Sequence, residues 1–228
     1  MNRFNSLRHT YRFELFLATL VFCLFGILFF NYVLFTTYLL PIGLSLNIVL
    51  GINLISNKKV KILFFIIFSV TFIITLFTMG SDTFNIKYRG VHLVRFTLYF
   101  LFYVIITFEI IKQIWRISEV SKDLIMGVIS GYISLGLVGF FIFMAIEISH
   151  PGSFDSAFLT DSLTINEKAD SLMYFSYITL MTIGYGEVIP VTPAAQKASI
   201  LLGLLGQFYM VIITAVTVGK YINYTHKQ

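Results

Sequence analysis

Residues 15–35, 36–57, 62–81, 124–146 and 198–219 form five runs without a single Asp, Glu, Lys or Arg. A helix rises about 1.5 Å per residue and the hydrocarbon core of a bilayer is about 30 Å thick, so each run is long enough to cross a membrane. Residues 91–114 make a sixth candidate, in which Arg95 and Glu109 leave an uncharged middle at 96–108. Both charges lie within snorkelling reach of an interface, so this run counts as a span. The expected fold class is therefore an all-α membrane protein with six transmembrane helices. The composition agrees: 57% of the residues are hydrophobic and 12% charged, against about 25% charged in soluble proteins. Cys23 is the one cysteine, which excludes an intrachain disulfide and leaves it a packing role. The first run is too long for a signal-peptide core and lacks a small-x-small end, so no cleavable signal is expected.

The net charge of +5 raises the possibility of nucleic acid, but the basic residues are scattered between the apolar runs, which fits membrane topology instead. With six spans the termini share a side. That side collects Arg3, Arg8, Arg12, Lys58, Lys59, Lys61, Lys112, Arg116, Lys122, Lys220 and Lys227, eleven of the sixteen basic residues. Most of the acids fall opposite: Asp82, Glu147, Asp155, Asp161, Glu167, Asp170 and Glu187. The positive-inside rule then places both termini in the cytoplasm of a multi-pass cell-membrane protein. Trp115 lies beside charged residues, where an indole suits the headgroup layer.

A seventh apolar stretch, 171–186, differs in kind. It runs into TLMTIGYGEVIP, residues 179–190. Its first dozen residues as a helix reach about 18 Å, roughly half the bilayer, before Gly184, Gly186 and Pro190 end it. A segment of this shape enters and returns, with Asp170 expected as the helix N-cap and the helix C-terminus, near Leu180, aiming partial negative charge at the middle of the membrane. Irregular backbone at that depth is tolerated only inside protein or along a watery path. Gly184 and Gly186 accept positive φ at no steric cost, which permits an alternation that turns successive carbonyls one way. One strand offers oxygens on one side only, so several copies must share an axis for those oxygens to surround an ion.

Thr179-x-x-Thr182-Ile183-Gly184-Tyr185-Gly186 resembles the potassium-channel signature T-x-x-T-V-G-Y-G. Residues 124–224 resemble the two-helix pore module of the ion channel superfamily, closest to bacterial potassium channels without a cytosolic regulatory domain; over residues 1–123 only the six-helix plan is shared. The resemblance implies a homotetramer in the lipid bilayer, a pore domain at 124–228 and a four-helix N-terminal domain at 1–123. It implies ion coordination by Thr182, Ile183, Gly184, Tyr185 and Gly186, with K+ as the permeant ion held at Thr182, Ile183, Gly184 and Tyr185, and no cofactor. Filter support is expected from Thr179, Tyr174, Phe175, Tyr177 and Glu187, the ring of Tyr185 packing on the aromatic face of the preceding helix. Gly206 aligns with the inner-helix glycine at which the family bends, although close packing explains it equally well, as it does Gly131, Gly136, Gly139 and Gly203. Thr192-Pro193 reads as N-cap and first residue of the last helix.

Two positions depart from the family pattern. Where the family commonly carries Trp and Asp, joined behind the filter, this chain has Tyr174 and Glu187. The longer acid can reach the shorter phenol and keep the strut; alternatively Glu187 adds to a ring of carboxylates at the outer mouth. The fourth span offers Arg89-x-x-His92-x-x-Arg95, a sensor-like spacing that lapses at Leu98 and Leu101. Steep voltage gating takes about 3 to 4 charges per subunit, so interfacial snorkelling explains these residues better.

Nothing pairs Glu14, Glu109 and Glu147 into a relay, and no nucleophile or metal cluster accompanies them, so an enzyme is not expected. The resulting reading is a passive potassium channel. A weakly selective cation channel is the nearest alternative, and a secondary transporter built on broken helices a more distant one, with Pro41, Gly43 and Gly51 the sole hint of a second interrupted segment.

Overall fold

The computed structural model describes residues 12–55, 57–78, 89–117, 121–156 and 165–225. In chain order the helices are α1 (Arg12–Phe25), α2 (Tyr32–Leu54), α3 (Lys58–Thr78), α4 (Arg89–Arg116), α5 (Lys122–Ser149), α6 (Ile165–Leu180) and α7 (Pro193–Thr225). Small polar side chains set several of the starts. Asn31 Oδ1 accepts from Val33 N at 3.0 Å, Asn57 Oδ1 from Lys59 N at 2.9 Å, Ser121 Oγ from Leu124 N at 3.3 Å and Thr192 Oγ1 from Ala195 N at 3.4 Å. Each bond satisfies a backbone donor that the first turn of a helix leaves open. The Thr192-Pro193 start of α7 is thus as the sequence predicts.

Among the described residues, five helices are long and apolar enough to cross a membrane: Tyr32–Leu54, Lys58–Leu76, Gly90–Arg116, Lys122–Ser149 and Pro193–Ile222. The chain is a mostly helical, multi-pass membrane protein. The first two spans divide differently from the expectation of 15–35 and 36–57. α1 ends at Phe25, a 3-10 turn follows over Gly26–Leu28, and α2 already begins at Tyr32. The cause is Asn31, whose cap starts a helix inside a run with no charge to mark the break. Among the described residues α1 has 14 residues. Within α2 a π turn spans Phe35–Leu39 just before Pro41. Proline has no N–H to give and its ring crowds the carbonyl four residues back, and a wider turn relieves both.

Two compact units make up the chain. One gathers residues 1–79, 105–134 and 213–228. In it Asn47, buried on α2, donates through Nδ2 to Phe16 O at 3.1 Å and to Thr19 Oγ1 at 2.7 Å on α1. Cys23 is buried in the same seam, its Sγ 3.0 Å from where a Cβ on Gly43 would stand. Glu14 pairs with Lys122 at 2.6 Å, and Gln113 Nε2 donates to Leu54 O at 2.7 Å. The ammonium of Lys220 on α7 donates to the carbonyl of Ile114 and, at 3.4 Å, to that of Trp115. These are the last turns of α4, where unpaired carbonyls favour a cation.

The other unit holds residues 80–104 and 135–212. Its core is aromatic: Tyr99 and Tyr103 of α4 stack on Phe141 of α5, and Phe143, Phe154 and Phe175 form a second cluster. A two-residue antiparallel ladder joins β1 (Phe154–Asp155) to β2 (Ile189–Pro190), with Phe154 opposite Pro190 and Asp155 opposite Ile189. The fourth span is one unbroken helix. His92, a packed polar residue more often than a titrating one at such a position, is buried at 3% exposure, and neither ring nitrogen finds a partner among the described residues. The Arg95 guanidinium lies over the Phe96 ring at 5.1 Å. The side chain of Arg89 lies outside the described residues.

Candidate functional site

α6 is placed by small residues on its neighbours. Ser176 Oγ, fully buried, donates to Gly136 O on α5 at 2.6 Å. A Cβ on Gly136 would stand 2.2 Å from the Tyr177 ring, and one on Gly139 would stand 2.2 Å from Leu202 and 2.6 Å from Ser176 Oγ. Helices α5, α6 and α7 therefore meet at Gly139. Lower on α7, a Cβ on Gly206 would stand 2.5 Å from the carbonyl oxygen of Leu180. Gly206 thus lies packed against the last residue of α6. Gly203, expected to pack as well, has no atom of the described residues within 4 Å of its would-be Cβ.

The end of α6 is built as a left-handed termination. Ile183 N donates to Ile178 O at 2.8 Å and Thr182 N to Thr179 O at 3.0 Å. This paired closure places its turning residue in the left-handed region, a position glycine ordinarily fills. Here it is Thr182, with φ +56°, the one described non-glycine residue with positive φ. A β-branched residue resists this conformation, which persists only where surroundings enforce it, often at functional sites. Gly184 (φ +57°) and Gly186 (φ +92°) follow at intervals of two. Positive φ at every second residue is the sign pattern needed to turn successive carbonyls to one side.

The segment is bare in the single chain. Residues 181–186 are all exposed, with Ile183 at 45% and Tyr185 at 75%. α6 directs the negative end of its dipole at this stretch.

The expected support residues divide into two groups. Tyr174 and Glu187 come together and, with Asp170, Ser171 and Val188, line a pocket of about 480 Å³. The neighbouring Glu187, then burial and nearby charge, push the Tyr174 phenol up to about 12. The two Glu187 oxygens are shielded from solvent and meet no donor at closed hydrogen-bond geometry among the described residues. Phenol and acid therefore interact across an open contact. Phe175 and Tyr177 face elsewhere, Phe175 into the cluster with Phe143 and Phe154, Tyr177 against Gly136. The expected packing of Tyr185 on this aromatic face is absent in the single chain, because α6 turns those two rings toward α5. Thr179 supplies the carbonyl that closes the turn.

α6 also starts earlier than the sequence suggests. It is helical from Ile165, so Asp170 lies in its second turn and is no N-cap. Burial pushes the Asp170 carboxyl upward. What lengthens the helix is a buried ion pair, Lys168 Nζ to Glu147 Oε1 at 3.2 Å, which fixes its first turns to the end of α5. Sequence reasoning missed this pair and missed Gln207, whose Nε2 donates to Thr182 Oγ1 at 3.4 Å. Gln207 was visible as a polar side chain inside an apolar run; the pair, 21 residues apart, carried no local signal.

Residues 128–223 match the Ion_trans_2 family model, described as ion channel. The match supports an ion channel function. It covers α5, α6, the Thr182–Gly186 segment and nearly all of α7, and a family of channels points away from catalysis. Channels of this family are generally oligomeric and embedded in membranes, in keeping with the apolar helices. Comparison with curated proteins and with solved structures gives no match.

Proposed function

We propose that this protein is a potassium-selective channel that works as a homotetramer. Four copies of Thr182–Gly186 surround one axis, and K+ exchanges its water shell for stacked carbonyl oxygens supplied by Thr182, Ile183, Gly184 and Tyr185. The Thr182 hydroxyl adds oxygens at the inner end. Ions move down their electrochemical gradient, each pushed on by its neighbour. Residues 124–228 form the pore domain and residues 1–123 a peripheral domain of the six-span plan, with both termini in the cytoplasm. Gly206 serves as the bending point of the inner helix.

The observation that carries this reading is the alternation of positive φ at Thr182, Gly184 and Gly186 in a fully exposed strip. An exposed strip of apolar and polar atoms, touched in its own chain by Gln207 at Thr182, suits an axis shared with other copies. Purified protein in planar bilayers tests it. A reversal potential that follows the K+ gradient in mixed Na+ and K+ supports the proposal; one that follows both ions equally sinks it. The open contact between Tyr174 and Glu187 favours one alternative, a weakly selective cation channel, since a loosely braced ring of oxygens discriminates poorly between ion sizes.

A further inference from the structure

The pair Glu147–Lys168 lies at the centre of a continuous set of bonds that reaches the residues just beyond Gly186. Glu147 and Lys168 are both buried, at 3% and 5% side-chain exposure. Besides Lys168 Nζ, the Glu147 carboxylate accepts from Gly152 N and from Ser153 N, each at 3.0 Å. Ser153 is fixed a second time, its Oγ donating to His150 O at 2.7 Å. Its own carbonyl accepts from Val191 N at 2.9 Å. Next to it the ladder pairs Phe154 with Pro190 and Asp155 with Ile189. One carboxylate therefore holds α6 near its beginning and, through a single turn of chain, holds the segment that leaves Gly186. The stretch 181–186 is gripped from both ends by the same side chain.

A buried ion pair is a poor way to gain stability, because desolvating two charges offsets most of their attraction. It is a good way to fix position, since the charge accepts few arrangements. We infer that Glu147 and Lys168 are positioning residues that set the depth of α6 and the placement of residues 187–191 together, and thereby the spacing of the oxygens between them. The inference rests on the channel reading proposed above.

The test compares Lys168→Arg, which keeps the cation, with the double variant Glu147→Gln/Lys168→Met, which removes both charges and keeps an acceptor for the turn. All proteins are full-length tetramers in lipid nanodiscs or planar bilayers. The double variant should keep a thermal midpoint within a few degrees of wild type. Its preference for K+ over Na+ should nevertheless fall, or its sustained current decay faster, by about tenfold, the scale expected for losing a buried charged bond. Lys168→Arg should behave as wild type. A double variant that assembles and conducts with wild-type selectivity and time course overturns the inference. Amide hydrogen exchange gives a readout that does not depend on conduction. In wild type the amides of Gly152, Ser153 and Val191 should be slow, and in the double variant Val191 should quicken with the other two. Exchange at open-loop rates in wild type overturns the linkage even if no variant assembles. Should wild type pass no K+ while these amides stay slow and coupled, the channel reading fails and the linkage survives.

Discussion

The side-chain amide of Gln207 donates to the hydroxyl oxygen of Thr182 at 3.4 Å. The bond is long, and so weak, but its location is informative. It ties α7 to the one described residue that is left-handed without being glycine. One residue earlier, Gly206 lets α7 reach the carbonyl of Leu180. The turn out of α6 is thus backed by a close main-chain approach and a side-chain contact from the same helix.

Thr182→Gly separates backbone from hydroxyl. Glycine adopts the left-handed conformation freely, so this variant should unfold no more easily than wild type and gain up to about 1 kcal/mol. Without the hydroxyl it should lose K+ preference, measured as a shift in reversal potential, whereas Thr182→Ser should retain it. Equal selectivity in the glycine variant would remove the hydroxyl from the coordination set.

Gly206→Ala forces a Cβ to within 2.5 Å of a backbone oxygen that cannot swing aside. The two helices must part, at a cost of about 1–3 kcal/mol. Thermal unfolding should register the loss, and single-channel records should show altered open times. An unchanged melting curve would mean that α7 shifts freely on α6.

Gly136 and Gly203 should behave oppositely. At Gly136 an added methyl meets the Tyr177 ring at 2.2 Å, so Gly136→Ala should lose folded protein on expression. At Gly203 the methyl meets none of the described residues, and alanine favours a helix over glycine by about 1 kcal/mol. Gly203→Ala should therefore match or exceed wild type in thermal stability. If it instead weakens assembly alone, seen by size-exclusion chromatography, Gly203 faces another copy.

Tyr174 offers a pH signature. Its phenol ionises at about 12 in the folded protein against about 10 in an unfolded chain. The neutral phenol is the favoured form, so this contribution to stability is complete below about pH 10 and fades as pH rises toward 12. Ultraviolet titration of the phenolate band should show a late-ionising tyrosine that Tyr174→Phe removes. The same substitution should alter selectivity or current decay if the contact with Glu187 braces the segment; a variant identical in both respects would retire that brace.

The legible parts of this protein were those governed by single residues and short spacings. Gly184 and Gly186 announce positive φ because glycine has no Cβ to forbid it. Thr182 does not, because threonine disfavours that conformation and only the closure onto Ile178 and Thr179 imposes it. The apolar runs gave the helices, yet Asn31 hid a helix start inside one of them, since an uncharged cap leaves hydropathy nearly unchanged. His92 is packed, as a lone polar ring beside an apolar run more often is. Glu147 stood near a span end and Lys168 in the stretch before α6, and their pairing depends on a turn that only the folded chain brings around.

The two compact units divide the chain in a way that bears on how it is made. One needs residues 213–228 to be complete, and the other reaches to residue 212. Both therefore wait for α7. Neither can close before α7 has been made, so the growing polypeptide must hold its earlier helices in the translocation machinery or the bilayer without finished cores until that helix emerges. Premature termination anywhere before that helix would leave two unfinished cores, and quality-control proteases should clear such products as readily as a chain stopped much earlier.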